Sequence, residues 1–314
     1  MIKKCTCLLI ITILFASLEC FSFAIDANNS ESEIKVLQLL GIIEGDTNKK
    51  LELDKAINRA ELAALLTRAM GLKELAKQHY DEANKGTWPR IIIKDVKTNY
   101  WAYGYIVMAY GTRTLKGYED GRFGPEDVVT YEQGITAIIK MLGYDIAVKS
   151  GKVKEKYVRD KTIYEIPQEE YTEKEINLFK IEPNGYIAMA QTLGLTYGVN
   201  TTIGKPLIKR DMLKLIYNSL MVGYMRGGDS CISGSIRVTK ESFLTYALGL
   251  KEEIGIVSKN NVSAGEVEIN GTNYKIGPTN VLDLVGQKVI YYFTIDESNN
   301  KKTLVIVQKV NTQD

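Results

Sequence analysis

Asn58-Arg59-Ala60-Glu61 sets a guanidinium one residue after a helix-capping asparagine, and this is the most pointed piece of chemistry in the 314-residue chain. A cap at Asn58, answered three residues on by Glu61, puts Arg59 at the first position of a helix. A helix start favours anions by ~0.3–1 kcal/mol through its dipole. The guanidinium adds paired donors matched to a carboxylate, so together they make a receptor for an acidic group. Thr130-Tyr131-Glu132-Gln133 repeats the spacing with Tyr131 in the arginine's place, which leaves a ring and a hydroxyl but no charge. Ile208-Lys209-Arg210-Asp211 holds Lys209 at the corresponding position. Ile208 cannot cap, and lysine is a point charge without the two-pronged geometry.

Other chemistry is thinly supplied. The chain holds one histidine and four cysteines. It starts Met-Ile-Lys-Lys, runs uncharged from Cys5 to Leu18 and reaches Ser22-Phe23-Ala24. A basic start, an apolar run shorter than the roughly 18–20 residues of a membrane span, and a small-residue exit predict a secretory signal over residues 1–24. An uncleaved N-terminal anchor is the alternative. A lipoprotein reading of Cys20 fits less well, because Glu19 stands where a small residue is required. Cleavage after Ala24 leaves Cys231 as the only thiol, so no internal disulfide is available to an exported chain. His79 and Cys231 cannot build a zinc site, and His79, in the polar stretch Lys77–Glu82, reads as solvated surface. No metal and no cofactor are expected. Forty basic against 38 acidic residues give a formal charge of +2, which provides no drive toward nucleic acid. Hydrolysis by a carboxylate pair needs neither His nor Cys. Its candidates are otherwise employed, Glu61 in capping and Asp120-Gly121 in a turn.

The elements that carry these residues recur. Each of three segments has a short apolar helix ending at a glycine, a polar loop, and a second helix opening on polar residues. The first runs from Val36 through Gly45 to Leu66, the second from Tyr100 through Gly117 to Ile139, and the third from Ala188 through Gly198 to Ile216. Gly45 to Arg59 and Gly117 to Tyr131 are each 14 residues, and Gly198 to Lys209 is 11. The second helices carry apolar stripes at helical spacing: Leu62, Leu65, Leu66 and Ala69; Ile135, Ile138, Ile139 and Leu142; Met212, Leu215 and Ile216. A lone helix pair cannot close a core over such a stripe, whereas three pairs around a shared axis can.

The pattern resembles the S-layer homology family, whose members carry three such repeats near one end of an exported bacterial protein. The resemblance is carried by Asn58-Arg59-Ala60-Glu61 against the family's Thr-Arg-Ala-Glu signature. Asp95, Trp101-Ala102, Tyr105-Ile106, Gly117-Tyr118, Asp120-Gly121, Phe123, Pro125 and Thr130 extend it through the second repeat. It covers roughly residues 30–225. It implies a three-pronged helical prism whose inter-repeat grooves bind anionic, often pyruvylated, secondary polymers attached to peptidoglycan, with the signature arginine in the groove. Expected polymer contacts are Arg59, Lys209, Tyr131 and Trp101, the last as a sugar-stacking platform, although an aromatic on an apolar helix face also suits a core. One good groove and one weaker one are expected, with Tyr131 departing from the signature.

The fold class read from these features is multidomain α+β: a mostly helical, pseudo-threefold, three-repeat prism, then a small antiparallel barrel-like domain. The expected divisions are repeats at 28–85, 92–146 and 181–226, a charged insertion at 147–180, and a β domain at 240–314. Arg226 to Ser230 reads as a hinge. Glu266–Ile269, Asn270-Gly271 and Thr272–Ile276 make a two-residue hairpin. Glu253–Val257, Val289–Phe293 and Thr303–Val307 add strands, and Val281–Gly286 a short helical turn. The β domain shows no binding motif. The leading expectation is a non-catalytic protein of the cell wall or surface, with no nucleic-acid partner and no membrane after signal cleavage. The alternatives are a secreted glycan hydrolase, and an assembly subunit that docks a protein partner through its β domain.

Overall fold

The structure, a computed structural model, describes residues 30–44, 50–87, 93–149, 182–227 and 236–310. The signal segment, Cys231 and nearly all of the charged insertion lie outside the described residues.

Polar caps and apolar stripes produce the second helix of each unit. Helix α2 (Arg59–Ala69) has the full reciprocal capping box, Glu61 N–H donating to Asn58 Oδ1 at 2.8 Å and Asn58 N–H to Glu61 Oε2 at 3.1 Å. Helix α5 (Tyr131–Met141) has the same box from Thr130 and Gln133. Helix α8 (Lys209–Ser219) has no side-chain cap at Ile208. Their partners are α1 (Ser30–Leu39), α4 (Tyr103–Gly111) and α7 (Asn184–Thr192). Each second helix packs on the first helix of the next unit, α2 on α4, α5 on α7 and α8 on α1. Leu62, Leu66, Ile138, Ile139, Leu215 and Ile216 are fully buried in the shared core. Burying each such side chain contributes about 1.5–3 kcal/mol.

At the centre the units meet in a closed cycle of backbone hydrogen bonds. Ile57 N–H donates to Leu207 O (2.9 Å), Leu207 N–H to Val129 O (2.9 Å) and Val129 N–H to Ile57 O (3.0 Å). All three side chains are fully buried. Around this cycle the loop of the next unit also serves each helix start. Arg59 and Ala60 N–H donate to Asp127 and Pro125 carbonyls, Tyr131 N–H to Lys205 O, and Lys209 and Arg210 N–H to Lys55 and Leu53 carbonyls. The orphan donors of each helix are therefore met across a unit boundary.

Helix α3 (Lys73–Lys85) follows α2 in a stretch with only Ala76 and Ala83 buried, so no apolar stripe announces it. Gly104 of α4 lies so close to it that a Cβ there would sit 1.9 Å from Ala76 O. Part of the expected insertion is helix: α6 (Asp145–Lys149) buries Ala147 and Val148.

Arg226 and Gly227 of the expected hinge belong to β1 (Gly223–Gly227), which pairs antiparallel with β2 (Ile236–Ser242), and the rest of that stretch lies outside the described residues. Helix α9 (Phe243–Leu248), capped by Ser242, leads into a β-barrel. Strands β3 (Lys251–Asn261), β4 (Glu266–Ile269), β5 (Thr272–Ile276), β6 (Lys288–Asp296) and β7 (Lys301–Lys309) close a barrel in the order β3-β4-β5-β7-β6. The β4–β5 hairpin turns at Asn270-Gly271 as expected, with positive φ at both residues. An irregularity in β3 between Val257 and Lys259 divides it between β6 and β4. The barrel is not wholly antiparallel, because β5 and β7 pair in parallel. This order with one parallel pair is that of the OB-fold barrel. Val281–Gly286 forms a turn, not a helix. Tyr274, Tyr291 and Phe293 fill the interior with Val257, Ile269 and Leu304. Tyr292, Val305 and Ile306 face outward into the helical core, so barrel and helices share one apolar interface.

Candidate functional site

Arg59 lies at the junction of the first and second units and is 6% exposed. Its Nε donates to Phe123 O at 2.8 Å and an Nη to Lys116 O at 2.6 Å. The guanidinium carbon sits 4.8 Å from the Tyr118 ring centre and 4.7 Å from that of Phe123. Asp95 holds the loop in place by accepting from Phe123 and Gly124 N–H at 2.7 and 2.8 Å. Burial pushes the Tyr110 and Tyr118 phenols above their ordinary range, and the Arg59 charge acts against that rise. Among the described residues, Arg59 makes no ion pair.

The helix start itself is not the open receptor expected from the sequence. The N–H groups of Arg59, Ala60 and Glu61 donate to Asp127 O, Pro125 O and Asn58 Oδ1. Any anion affinity here comes from the guanidinium, the dipole's donors being taken by protein carbonyls and the cap.

Lys209 occupies the equivalent place between the third and first units, with a different outcome. Its ammonium pairs with Glu61 Oε1 at 2.8 Å. Tyr131, between the second and third units, is 7% exposed. Burial raises its phenol above the usual value, and the Asp211 and Glu132 carboxylates raise it further. Asp211, itself 1% exposed, accepts from Thr201 N–H and Oγ1–H. Among the described residues, each N1 side chain thus meets a distinct electrostatic environment: no ion pair at Arg59, a glutamate partner at Lys209, nearby carboxylates at Tyr131.

Trp101 is on the surface, 51% exposed, and not in the core. It joins Lys209 through a chain of contacts that excludes Arg59. Tyr100, whose ring centre is 5.9 Å from that of Trp101, donates its hydroxyl to Glu126 Oε1 at 2.5 Å. Asn58 Nδ2 donates to Glu126 Oε2 at 3.0 Å, and the capping box carries the chain on to Glu61 and Lys209. Tyr118, Phe123, Tyr100 and Glu126 were not singled out as site residues by sequence. Gly117-Tyr118 and Phe123 were visible only as repeat motif, and nothing local marks Glu126 as a neighbour of Asn58, 68 residues away.

The hydrolase candidates have structural work. Glu61 has one oxygen on Asn58 N–H and the other on Lys209. Asp120 accepts from Arg122 N–H and Nε, and the Arg122 contacts hold its carboxyl below the usual range, opposite to what a general acid needs. Among the described residues, no helix is long and apolar enough to cross a membrane.

These features define a class: a protein of helix–loop–helix units locked through their loops, with the first position of each second helix facing a unit junction. Residues 92–133 match the family model of the S-layer homology domain. The chain is 27% identical over 297 residues to the middle cell wall protein of Brevibacillus brevis, covering 86% of this chain and 24% of that one. It is 25% identical over 300 residues to a surface layer protein of Brevibacillus choshinensis, covering 86% and 23%. With a cell surface protein of Thermoanaerobacter kivui it shares 24% over 285 residues, covering 88% and 32%. The chain thus spans about a quarter to a third of the length of these relatives. It holds a segment similar to the S-layer homology domain, and its similarity is to proteins of the cell wall and cell surface.

Proposed function

We propose that the three units act as one prism-like, non-catalytic anchor, and that its ligand is an anionic, pyruvylated secondary polymer of the cell wall. The carrying observation is Arg59: a guanidinium 6% exposed, between two units, with no carboxylate partner among the described residues. A buried charge is costly unless paired. Two carbonyls and two ring faces offset part of that cost, a cation–π contact contributing ~0.5–2 kcal/mol. An incoming carboxylate supplies the missing counter-charge. The domain match and the relatives' names favour surface anchoring over catalysis.

Co-sedimentation with polymer-bearing wall sacculi tests this reading. The full chain pellets, and Arg59→Ala stays in the supernatant while keeping its circular dichroism. Equal pelleting of a folded Arg59→Ala variant would overturn the assignment.

A second reading, an assembly subunit, is favoured by the barrel's outer face, where Ile254, Ile256, Leu282 and Val285 are each more than half exposed. Light scattering of the full chain across a concentration series tests it. A constant monomeric mass removes it.

A further inference from the structure

Trp101 sits in an aromatic row whose margins are polar. Tyr100 lies on one side, and on the other is Tyr105, with ring centres 6.4 Å apart. Each phenol is tied down. Tyr100 donates to Glu126, and burial together with that carboxylate pushes its phenol well above the ordinary range, which keeps the proton in place. Tyr105 accepts from Arg68 Nε and Nη at 3.3 and 3.2 Å. Arg68 is in turn balanced by Glu44, which Lys73 also contacts. The indole therefore has a fixed, preorganised setting and still leaves half its surface open.

The surroundings select among occupants. A lipid or an apolar protein face requires aliphatic neighbours, yet the indole here is bordered by hydroxyls and ion pairs. An acidic sugar would meet Glu126 and, beyond Asn58, Glu61. A neutral pyranose fits both components. Its C–H face stacks on the indole, and its hydroxyls donate to the exposed Glu126 carboxylate, which has acceptor capacity left beyond Tyr100 and Asn58.

We propose that Trp101 and Glu126 form a saccharide subsite for neutral pyranose units, separate from the Arg59 junction and opposite to it in charge preference. The subsite deepens the attachment reading and rests on it for its biological source. Neutral sugars occur both in the glycan strand of peptidoglycan and in the polymer's uncharged units, and the experiment separates the two.

The probe is the neutral N-acetylglucosamine tetrasaccharide, titrated into the full chain carrying Trp88→Phe, which leaves Trp101 as the only indole of the two. The expected result is saturable quenching of Trp101 emission. In a matched calorimetric titration, Trp101→Ala abolishes binding, Glu126→Gln weakens it about ten-fold, as for one lost charge-assisted hydrogen bond, and Arg59→Ala leaves it unchanged. No saturable binding, or binding indifferent to Trp101→Ala, overturns the proposal, even if sacculus pelleting still depends on Arg59. Conversely, Trp101-dependent binding with Arg59-independent pelleting upholds the subsite and sinks the Arg59 reading. Retention of Trp101-dependent pelleting on sacculi stripped of secondary polymer assigns the subsite to the peptidoglycan strand, and its loss assigns it to the polymer. Trp101→Phe, which keeps a stacking face, recovers part of the affinity and excludes a folding defect.

Discussion

Arg59 and Lys209 stand at the same helical position of two repeated units, and both reach toward a neighbouring unit. Among the described residues, one has no carboxylate partner and the other pairs with Glu61. The two side chains find different partners: Lys209 reaches the third helical residue of the first unit, whereas Arg59 reaches the Phe123 and Lys116 carbonyls of the second. In the first unit that residue is Glu61; in the second it is Gln133, which fulfils the same capping role without a charge. Capping accepts glutamate and glutamine alike, and at Glu61 the charged choice also supplies the counter-charge of Lys209. Position in a repeat decides where a cation goes, and the neighbour decides whether it is still a cation to the outside.

The largest effect should come from Arg59→Met, which keeps a long apolar stem against Tyr118 and Phe123 but leaves the Lys116 and Phe123 carbonyls without their donors. Stability should fall by about 1–3 kcal/mol, read as a drop in urea midpoint. Polymer affinity should fall at least about ten-fold. If stability drops while affinity holds, Arg59 is a fastener and no receptor.

Glu61→Gln sharpens the contrast from the other side. It retains the capping box and frees the Lys209 ammonium, so the third junction becomes a second anion site. Polymer affinity should rise by about two- to five-fold, the gain expected of a partly exposed point charge, and Glu61→Gln with Lys209→Met should cancel it. An unchanged affinity would mean that the third junction is closed for reasons other than charge.

The smallest effect concerns Tyr131. Its phenol titrates above the ordinary value in the folded chain because of burial and the nearby carboxylates. The folded state therefore holds that proton more tightly than the unfolded state. This contribution is complete below the unfolded phenol's pKa of about 10 and fades as pH rises through the folded value. Tyr131→Phe should match the wild type in urea at pH 8 and exceed it at pH 10.5. If the order reverses at high pH, the phenol is not desolvated as described.

Local signals were the most legible. The Asn58–Glu61 and Thr130–Gln133 boxes and the Asn270-Gly271 hairpin each depend on residues within four positions, and each appears where its pattern placed it. What escaped depends on distant partners. Helix α3 has polar composition and rests on a close approach to Gly104 that no periodicity reports. The parallel β5–β7 pairing involves Lys275 with Thr303 and Ile276 with Leu304, a choice made by barrel closure and not by either strand. Within the site, the residue types at 59, 131 and 209 were readable, but their charge states were not, because Glu61, Asp211 and the Phe123 carbonyl arrive from other units.

The backbone cycle of Ile57, Val129 and Leu207 has a consequence for assembly. Arrays that stack units in a line have two end faces, and natural ones need specialised terminal units to keep those faces from recruiting more material. A loop of donors and acceptors that returns to its start has no end face. Growth by adding another unit is blocked from within, and removing any one of the three leaves an unmatched donor and an unmatched acceptor in a dry interior. The three units should therefore melt as a single cooperative block, and any contact between copies of the chain has to use some other face of the molecule.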